Sequence, residues 1–184
     1  MRDVVESIEA EYRRYKALGD SAIAQLRDQE LSQEPPGNGN SIAAIVWHVA
    51  GNFESRFTDF RTSDGEKPTR DRDSEFVPRD VTRAELLAKW ASGWSKVFDA
   101  LANLSDPDLA ASVTIRTQPL RIDQALHRSL AHAAYHVGQV VYLAKLWCGP
   151  RWDTLSIPLG GSAAFNAVLA NQRPHEDTPR VGDR

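Results

Sequence analysis

The sequence has very little cysteine, since Cys148 is the only one in 184 residues. A single cysteine cannot form a disulfide within the chain, which fits a reducing compartment. The chain also has no basic excess: its formal net charge is −3, which argues against a nucleic-acid partner. Its most apolar run, SIAAIVWHVAG, is too short to span a bilayer, and its N-terminus lacks the apolar segment of a signal peptide. The sequence therefore predicts a cytoplasmic protein without a membrane partner.

Strand patterns are scarce as well, because only SVTIRT at 112–117 alternates and helical spacing dominates elsewhere. Ser41 is a good N-cap, and Thr82 with Glu85 forms a capping box. We expect an all-α four-helix bundle with a short extra C-terminal helix, as one domain over 1–170 followed by a flexible tail over 171–184. The predicted long helices run from about Val4 to Glu30, Ser41 to Phe60, Thr82 to Leu104 and Ile122 to Trp147, and the short one from Ser162 to Ala170.

The segment HAAYHVGQ at 132–139 carries the clearest chemical signal. His132 and His136 lie one helical turn apart, and Gln139 shares their arc on the helix. This spacing is common among helical metal ligands, although two hydrogen-bonded core histidines would show it too. The remaining histidines receive no role, because His127 points to the opposite side and His175 lies in the predicted tail.

His48 strengthens the metal interpretation, because it is the only ionisable residue in SIAAIVWHVAGN and must find a partner if buried. Three converging imidazoles would repel one another if protonated, whereas a divalent cation requires them neutral. Three protein ligands also leave coordination positions open, as in catalytic sites. Ala133 stands where a metalloprotease helix carries glutamate, which argues against hydrolysis with a built-in base. A metal-bound thiol needs no such base, because the metal promotes its deprotonation.

The surroundings of this predicted site are less defined. Asn52 and Gln139 are candidates for orienting a ligand ring or a substrate, and Tyr135 is either a donor or a packing residue. The polar line of Asn52, Ser55 and Asp59 fits either a channel lining or a solvated face.

We expect the segments EPPGNGN (34–40) and CGPRWDTLSIPLGG (148–161) to rim the pocket. The charged segment at 61–80, which we call the charged loop, is long enough to be functional or mobile. We expect it at the far end of the bundle.

The segments VWHVAGN (46–52) and HAAYHVGQ resemble the DinB-like superfamily, metal-binding four-helix bundles that include YfiT-type thiol transferases. The particular branch looks like a domain-of-unknown-function family, and the resemblance extends to about Asn166. It implies an up-down-down-up bundle, often a homodimer. It also implies that His48, His132 and His136 hold a divalent metal, zinc or nickel, and that a low-molecular-weight thiol is transferred to an electrophilic small molecule.

Two other function classes stay open at this point. The first is a non-enzymatic dimeric bundle, metal-binding or metal-free, in which no open pocket would reach the histidines. The second is a metal-dependent hydrolase or lyase that takes its base from Asp59 or from the charged loop.

Overall fold

A computed structural model describes residues 1–171, so the predicted tail beyond Asn171, including His175, lies outside the described residues. Four long helices confirm the predicted all-α bundle. Two short strands form a hairpin, and short 3-10 turns cover 73–76, 106–110 and 149–151. The elements are α1 (Asp3–Ala24), α2 (Asp28–Leu31), α3 (Ile42–Phe57), α4 (Arg83–Ala102), β1 (Ser112–Ile115), β2 (Gln118–Arg121), α5 (Ile122–Cys148) and α6 (Ser162–Asn171).

The four long helices enclose one core, because α3 packs against α4 and α5 while α1 packs against the same two helices. Large aromatic side chains fill the centre: Trp94 makes edge-to-face contacts with Phe53 at 4.9 Å and with Tyr12 at 6.4 Å between ring centroids. Such pairs add about 0.5–1.5 kcal/mol each beyond their apolar burial. Tyr12 also donates its hydroxyl to the Leu126 carbonyl at 2.9 Å, which ties α1 to α5.

The helix starts are as the capping pattern predicts. The Ser41 hydroxyl accepts from the Ala44 amide at 3.1 Å, and Thr82 and Glu85 form the reciprocal capping box. No helix in the described part of the chain combines the length and apolar character needed to cross a membrane.

The first predicted helix is wrong beyond Ala24, where the structure has a turn and then the separate helix α2. The break is stabilised from α4, because the Arg83 guanidinium donates to the carbonyls of Ile23 at 3.2 Å and Leu26 at 2.5 Å. Glu30 in turn accepts from the Arg27 amide at 2.7 Å and starts α2. A distant arginine thus satisfies the helix-end carbonyls, which a local helical pattern cannot anticipate.

The strand over 112–117 is confirmed in part, because it forms β1, which pairs with a second strand, β2, that the sequence did not predict. The hairpin is antiparallel, and its two turn residues, Arg116 and Thr117, have positive φ values of 54° and 62°. Their amides donate to the Asp64 carboxylate at 2.8 and 2.7 Å. The hairpin turn is therefore fastened to the charged loop.

The charged loop folds back along α3, so its predicted place at the far end of the bundle is wrong. The Ser55 hydroxyl donates to the Gly65 carbonyl at 2.8 Å and accepts from the Lys67 amide at 3.1 Å. Farther along, the Glu75 side chain lies directly over Gly51, where any side chain at position 51 would collide with it. A hydroxyl and a glycine on one face of α3 thus dock the loop beside His48.

Candidate metal centre

Three histidines from two helices meet inside the bundle. His48 comes from α3, and His132 and His136 come from α5. Their candidate ligand atoms all lie within 4.8 Å of one another, and the Nε2 atoms of His48 and His132 are 3.1 Å apart. His48 and His136 are buried, whereas His132 is half-buried. The three residues predicted as ligands are therefore placed together, on facing sides of α3 and α5.

His48 is oriented by a buried ion pair from the charged loop. Its Nδ1 lies 2.8 Å from Glu75 Oε2, and Arg70 donates to the same carboxylate through Nε at 2.8 Å and Nη2 at 2.9 Å. Burial raises the pKa of Glu75, but hydrogen bonds from His48 and Arg70 outweigh it and hold that pKa below its ordinary value. The ionised carboxylate can only accept, so the His48 Nδ1 carries a proton and donates it to Glu75, and Nε2 is the ring nitrogen that faces the other histidines.

His136 has an equivalent arrangement within α5. Its Nδ1 lies 2.8 Å from the Gln139 amide oxygen, which fixes the proton on Nδ1 and leaves Nε2 as an acceptor. His132 differs, because its Nδ1 is buried without a hydrogen-bond partner among residues 1–171. Two of the three rings are therefore fixed by oxygen acceptors, whereas the only polar contact of the third with the described residues is that of its Nε2 with His48, at 3.1 Å.

The site disfavours protonated imidazoles. Burial, followed by repulsion from His136 and His48, lowers the pKa of His132 from 6.5 to about 3. Burial also lowers the pKa of His136 to about 4, with the Gln139 hydrogen bond opposing the shift and His48 adding to it. Both rings are consequently neutral at pH 7, which is the form that binds metal.

The donor set fits a divalent transition-metal ion. Zinc–nitrogen bonds are about 2.0–2.1 Å long, so two nitrogens on one ion, separated by 90–110°, lie roughly 2.8–3.4 Å apart. The 3.1 Å between the Nε2 atoms of His48 and His132 falls within that range. Neutral imidazole suits zinc, nickel, copper and ferrous iron, and these three histidines are the only described residues grouped closely enough to hold an ion.

An open pocket of about 190 Å³ reaches two of the three histidines, His48 and His132. It extends towards the C-terminal half of α3 and the N-terminal half of α5, and the charged loop and the β1–β2 hairpin complete its wall. Residues 34–40 and 148–161 contribute nothing to this lining, so their predicted place at the rim is wrong. The lining residues are His48, Asn52, Arg56, Arg70, Arg72, Ile115, Arg116, Ala125, Arg128, Ser129 and His132.

The other predicted residues have separate positions. Asn52 lines the pocket and Ser55 docks the charged loop, whereas Asp59 is exposed beyond the end of α3. Gln139 contacts His136. Tyr135 is 63% exposed and packs its ring against His136 at 4.7 Å between centroids, outside the pocket lining. The polar line on α3 is therefore neither a continuous channel nor a plain solvated face.

Glu75 and Arg70 were missed from the sequence. Both lie in the charged loop, where they read as two members of an alternating run of charges. Phe76 was missed with them, and its ring lies 4.5 Å from the His48 ring. The available signal was the length of the loop, which is typical of functional segments.

A family model described as a protein of unknown function, DUF1572, matches residues 1–161. The chain belongs to the DUF1572 family. This match spans both helices that carry the histidines, as well as the charged loop and the hairpin.

Among solved structures, this DUF1572 protein is similar to a conserved protein of a locus from Enterococcus faecalis. The TM-score is 0.67 at 18% identity, and the similarity covers 81% of this chain and 99% of that one. At this identity the similarity shows a shared fold. No curated protein matches the chain.

Proposed function

We propose that this protein binds one divalent metal ion, zinc or nickel, through His48, His132 and His136. We propose further that it is a DinB-like, metal-dependent S-transferase that joins a low-molecular-weight thiol to an electrophilic small molecule. One observation carries the proposal: three imidazoles converge where an open pocket meets the core. Structural metal sites are closed by four protein ligands, whereas catalytic sites keep a position open for water or substrate.

The chain's own residues would prepare the site for this chemistry. A bound ion would supply the Lewis acidity that makes a thiol nucleophilic at neutral pH. Glu75 holds the His48 ring and increases the electron density on its Nε2, while Arg70 keeps Glu75 ionised. Gln139 holds the His136 ring. Asn52 lines the pocket and offers an amide that can position a polar group of the substrate.

Two features favour transfer over hydrolysis or elimination assisted by a protein base. Asp59 is exposed and does not line the pocket. Glu75 is engaged by Arg70 and His48 on both oxygens, so it has no free basic position for a substrate proton. Chemistry at this site would therefore depend on an ion to activate the nucleophile.

The pocket also favours an enzyme over a purely structural bundle. A core histidine cluster that only stabilised the fold would need no opening to solvent, yet His48 and His132 both line the pocket. We further propose a cytoplasmic location, which the single cysteine favours, and a homodimer, which the resemblance to DinB-like proteins implies. Light scattering on the purified protein would test the dimer.

Metal content is the primary test. The purified protein, after loading with zinc or nickel and removal of the excess, should hold about one ion per chain by elemental analysis. The His132→Ala/His136→Ala double variant should hold none, because only one imidazole would remain. His127→Ala is the matched control, since His127 is exposed on the same helix outside the pocket lining. Equal metal in the double variant and the control would reject the site.

Activity is the second test. The metal-loaded protein would be incubated with pairs of low-molecular-weight thiols and electrophiles, and thioether formation followed by mass spectrometry. We expect product only with metal present and loss of product in the double variant. Metal-dependent hydrolysis of the electrophile without consumption of thiol would reject the S-transferase function in favour of a metal-dependent hydrolase.

A further inference from the structure

The pocket beside the three histidines is lined by an unusual number of cations. Five arginines from four different segments contribute to it, and none of its eleven lining residues is acidic. Arg56 comes from α3, Arg70 and Arg72 from the charged loop, Arg116 from the hairpin and Arg128 from α5. Segments far apart in sequence thus bring the same functional group to one cavity.

Structural ion pairs explain only part of this cluster. Arg70 is held by Glu75 at 2.8 Å, and Arg56 and Arg116 share the Glu66 carboxylate at 2.9 and 3.0 Å. The Glu66 pairs attach the charged loop to α3 and to the hairpin, and the Glu75 pair joins two positions of the loop. These contacts account for three of the arginines without any ligand.

Arg72 and Arg128 have no comparable structural role. Arg72 has one weak pair, 3.8 Å from its fully exposed neighbour Asp73, and its guanidinium lies 5.1 Å from the Phe76 ring. Arg128 makes no ion pair or side-chain hydrogen bond with any residue in 1–171. Both side chains are exposed at the mouth of the pocket. Two guanidinium groups are therefore available to an incoming molecule beside a wall that is already cationic.

We propose that the pocket binds a small molecule through carboxylate or phosphate oxygens, with Arg72 and Arg128 contacting the anionic group and the reacting end directed towards the three histidines. Planar guanidinium groups pair with carboxylate and phosphate through two parallel hydrogen bonds, and they lose less hydration than ammonium groups do. The direction of the reacting end rests on the proposed function, whereas the anion site itself does not.

The size of the cavity narrows the ligand class. Sites that enclose a drug-sized ligand measure roughly 300–1,000 Å³. A cavity of about 190 Å³ suits a small organic acid, a small phosphate ester or the anionic end of a longer molecule. Arg116, paired with Glu66 but 57% exposed along its side chain, can reorient to add a third contact.

The test uses succinate and inorganic phosphate as anionic probes and succinamide as an uncharged match for succinate. Each would be titrated at low salt into isotope-labelled, zinc-loaded protein and followed by NMR, because small anions bind weakly and salt screens the attraction. Arg128→Gln and Arg72→Gln remove the proposed contacts. Arg13→Gln is the matched control, since Arg13 is 61% exposed on α1, pairs with Glu9 and does not line the pocket.

We expect shifts around the pocket with at least one anion, none with succinamide, and affinity weakened roughly tenfold or more in each pocket variant but not in the control. A preference for phosphate or for succinate identifies which anionic group the site takes. Absence of binding by both anions, or equal binding by Arg128→Gln, Arg72→Gln and the control, would overturn the inference.

The outcomes also separate this inference from the proposed function. Anion binding that depends on Arg128, in protein that retains no metal, supports the anion site and rejects the metal-dependent function. Binding of one metal ion per chain without anion binding supports the metal site of the proposed function and rejects the anion site.

Discussion

Replacing Glu75 with glutamine tests the link between the charged loop and the histidines. Glu75→Gln keeps the shape of the side chain and removes its charge. Two buried side chains would then lose the negative charge with which they pair. They are Arg70, which is 5% exposed, and His48, which is 6% exposed. The substitution should therefore change both the stability of the fold and the affinity for metal.

The two magnitudes follow from different contacts. Breaking a buried ion pair from one side costs about 3–5 kcal/mol. We expect the lower end, about 3 kcal/mol, because the amide oxygen still accepts one hydrogen bond and Arg70 retains Glu66 at 3.7 Å. Loss of the carboxylate that orients a ligand histidine weakens metal binding by about 10- to 100-fold.

Urea unfolding of the metal-free protein gives the first quantity, and zinc competition with a coloured chelator under native conditions gives the second. Glu54→Gln is the matched control. Glu54 lies on α3 and, like Glu75, pairs with a basic side chain, that of Lys89 at 2.8 Å, but its own side chain is 32% exposed and it is not a pocket residue. The Glu54→Gln substitution should lower the free energy of unfolding by less than about 1 kcal/mol and leave the metal affinity unchanged.

The reasoning would be refuted if Glu75→Gln bound zinc as tightly as the wild-type protein. A fall in stability without a fall in affinity would mean that Glu75 only fastens the loop. Unchanged stability would contradict the burial of the ion pair.

Three further predictions concern protonation and packing. Metal-free protein should lose stability as the pH falls from about 6.5 towards 4, because burial lowers the pKa of His132 to about 3 and that of His136 to about 4, so that the unfolded chain takes up protons that the native chain does not. The free energy of unfolding should fall by up to about 1.4 kcal/mol per pH unit for each histidine, and urea midpoints that do not vary with pH would contradict this expectation. Gly93→Ala should destabilise the fold by about 1–3 kcal/mol, because its Cβ would lie 2.6 Å from the Ala50 Cα where α3 crosses α4, and an unchanged melting temperature would contradict that contact. Ser55→Ala should increase proteolysis within the charged loop, because this substitution removes the hydroxyl that bonds Gly65 and Lys67. The control is Ser95→Ala, at an exposed serine on α4, and equal cleavage rates of the two variants would count against this docking.

The bundle and the histidine cluster were predictable because their signals are periodic. One helical turn separates His132 from His136 on any helix, and the lone ionisable residue of the apolar segment, His48, must find a partner if it is buried. Capping residues predicted two helix starts for a different reason, which is that the capping interaction is local.

The surroundings of the site were not predictable, because they depend on contacts between distant segments. The charged loop returns to α3 through Ser55 and Gly51, neither of which carries a distinctive signal in sequence. The pocket mouth was misplaced for this reason: proximity along the chain to the start of α3 favoured 34–40, whereas the loop and the hairpin reach the pocket through tertiary contacts. Glu75, 27 positions from His48, could be paired with it only once the loop was placed.

The close approach of Glu75 to Gly51 has an evolutionary consequence. A methyl group at position 51 would occupy the space of the carboxylate that orients His48, so the two positions form one steric unit although they are 24 positions apart. Selection should act on them jointly: a lineage that acquires a side chain at position 51 must also abandon or relocate the acidic residue at 75. Among relatives that keep all three histidines, glycine at 51 and glutamate at 75 should therefore be inherited together.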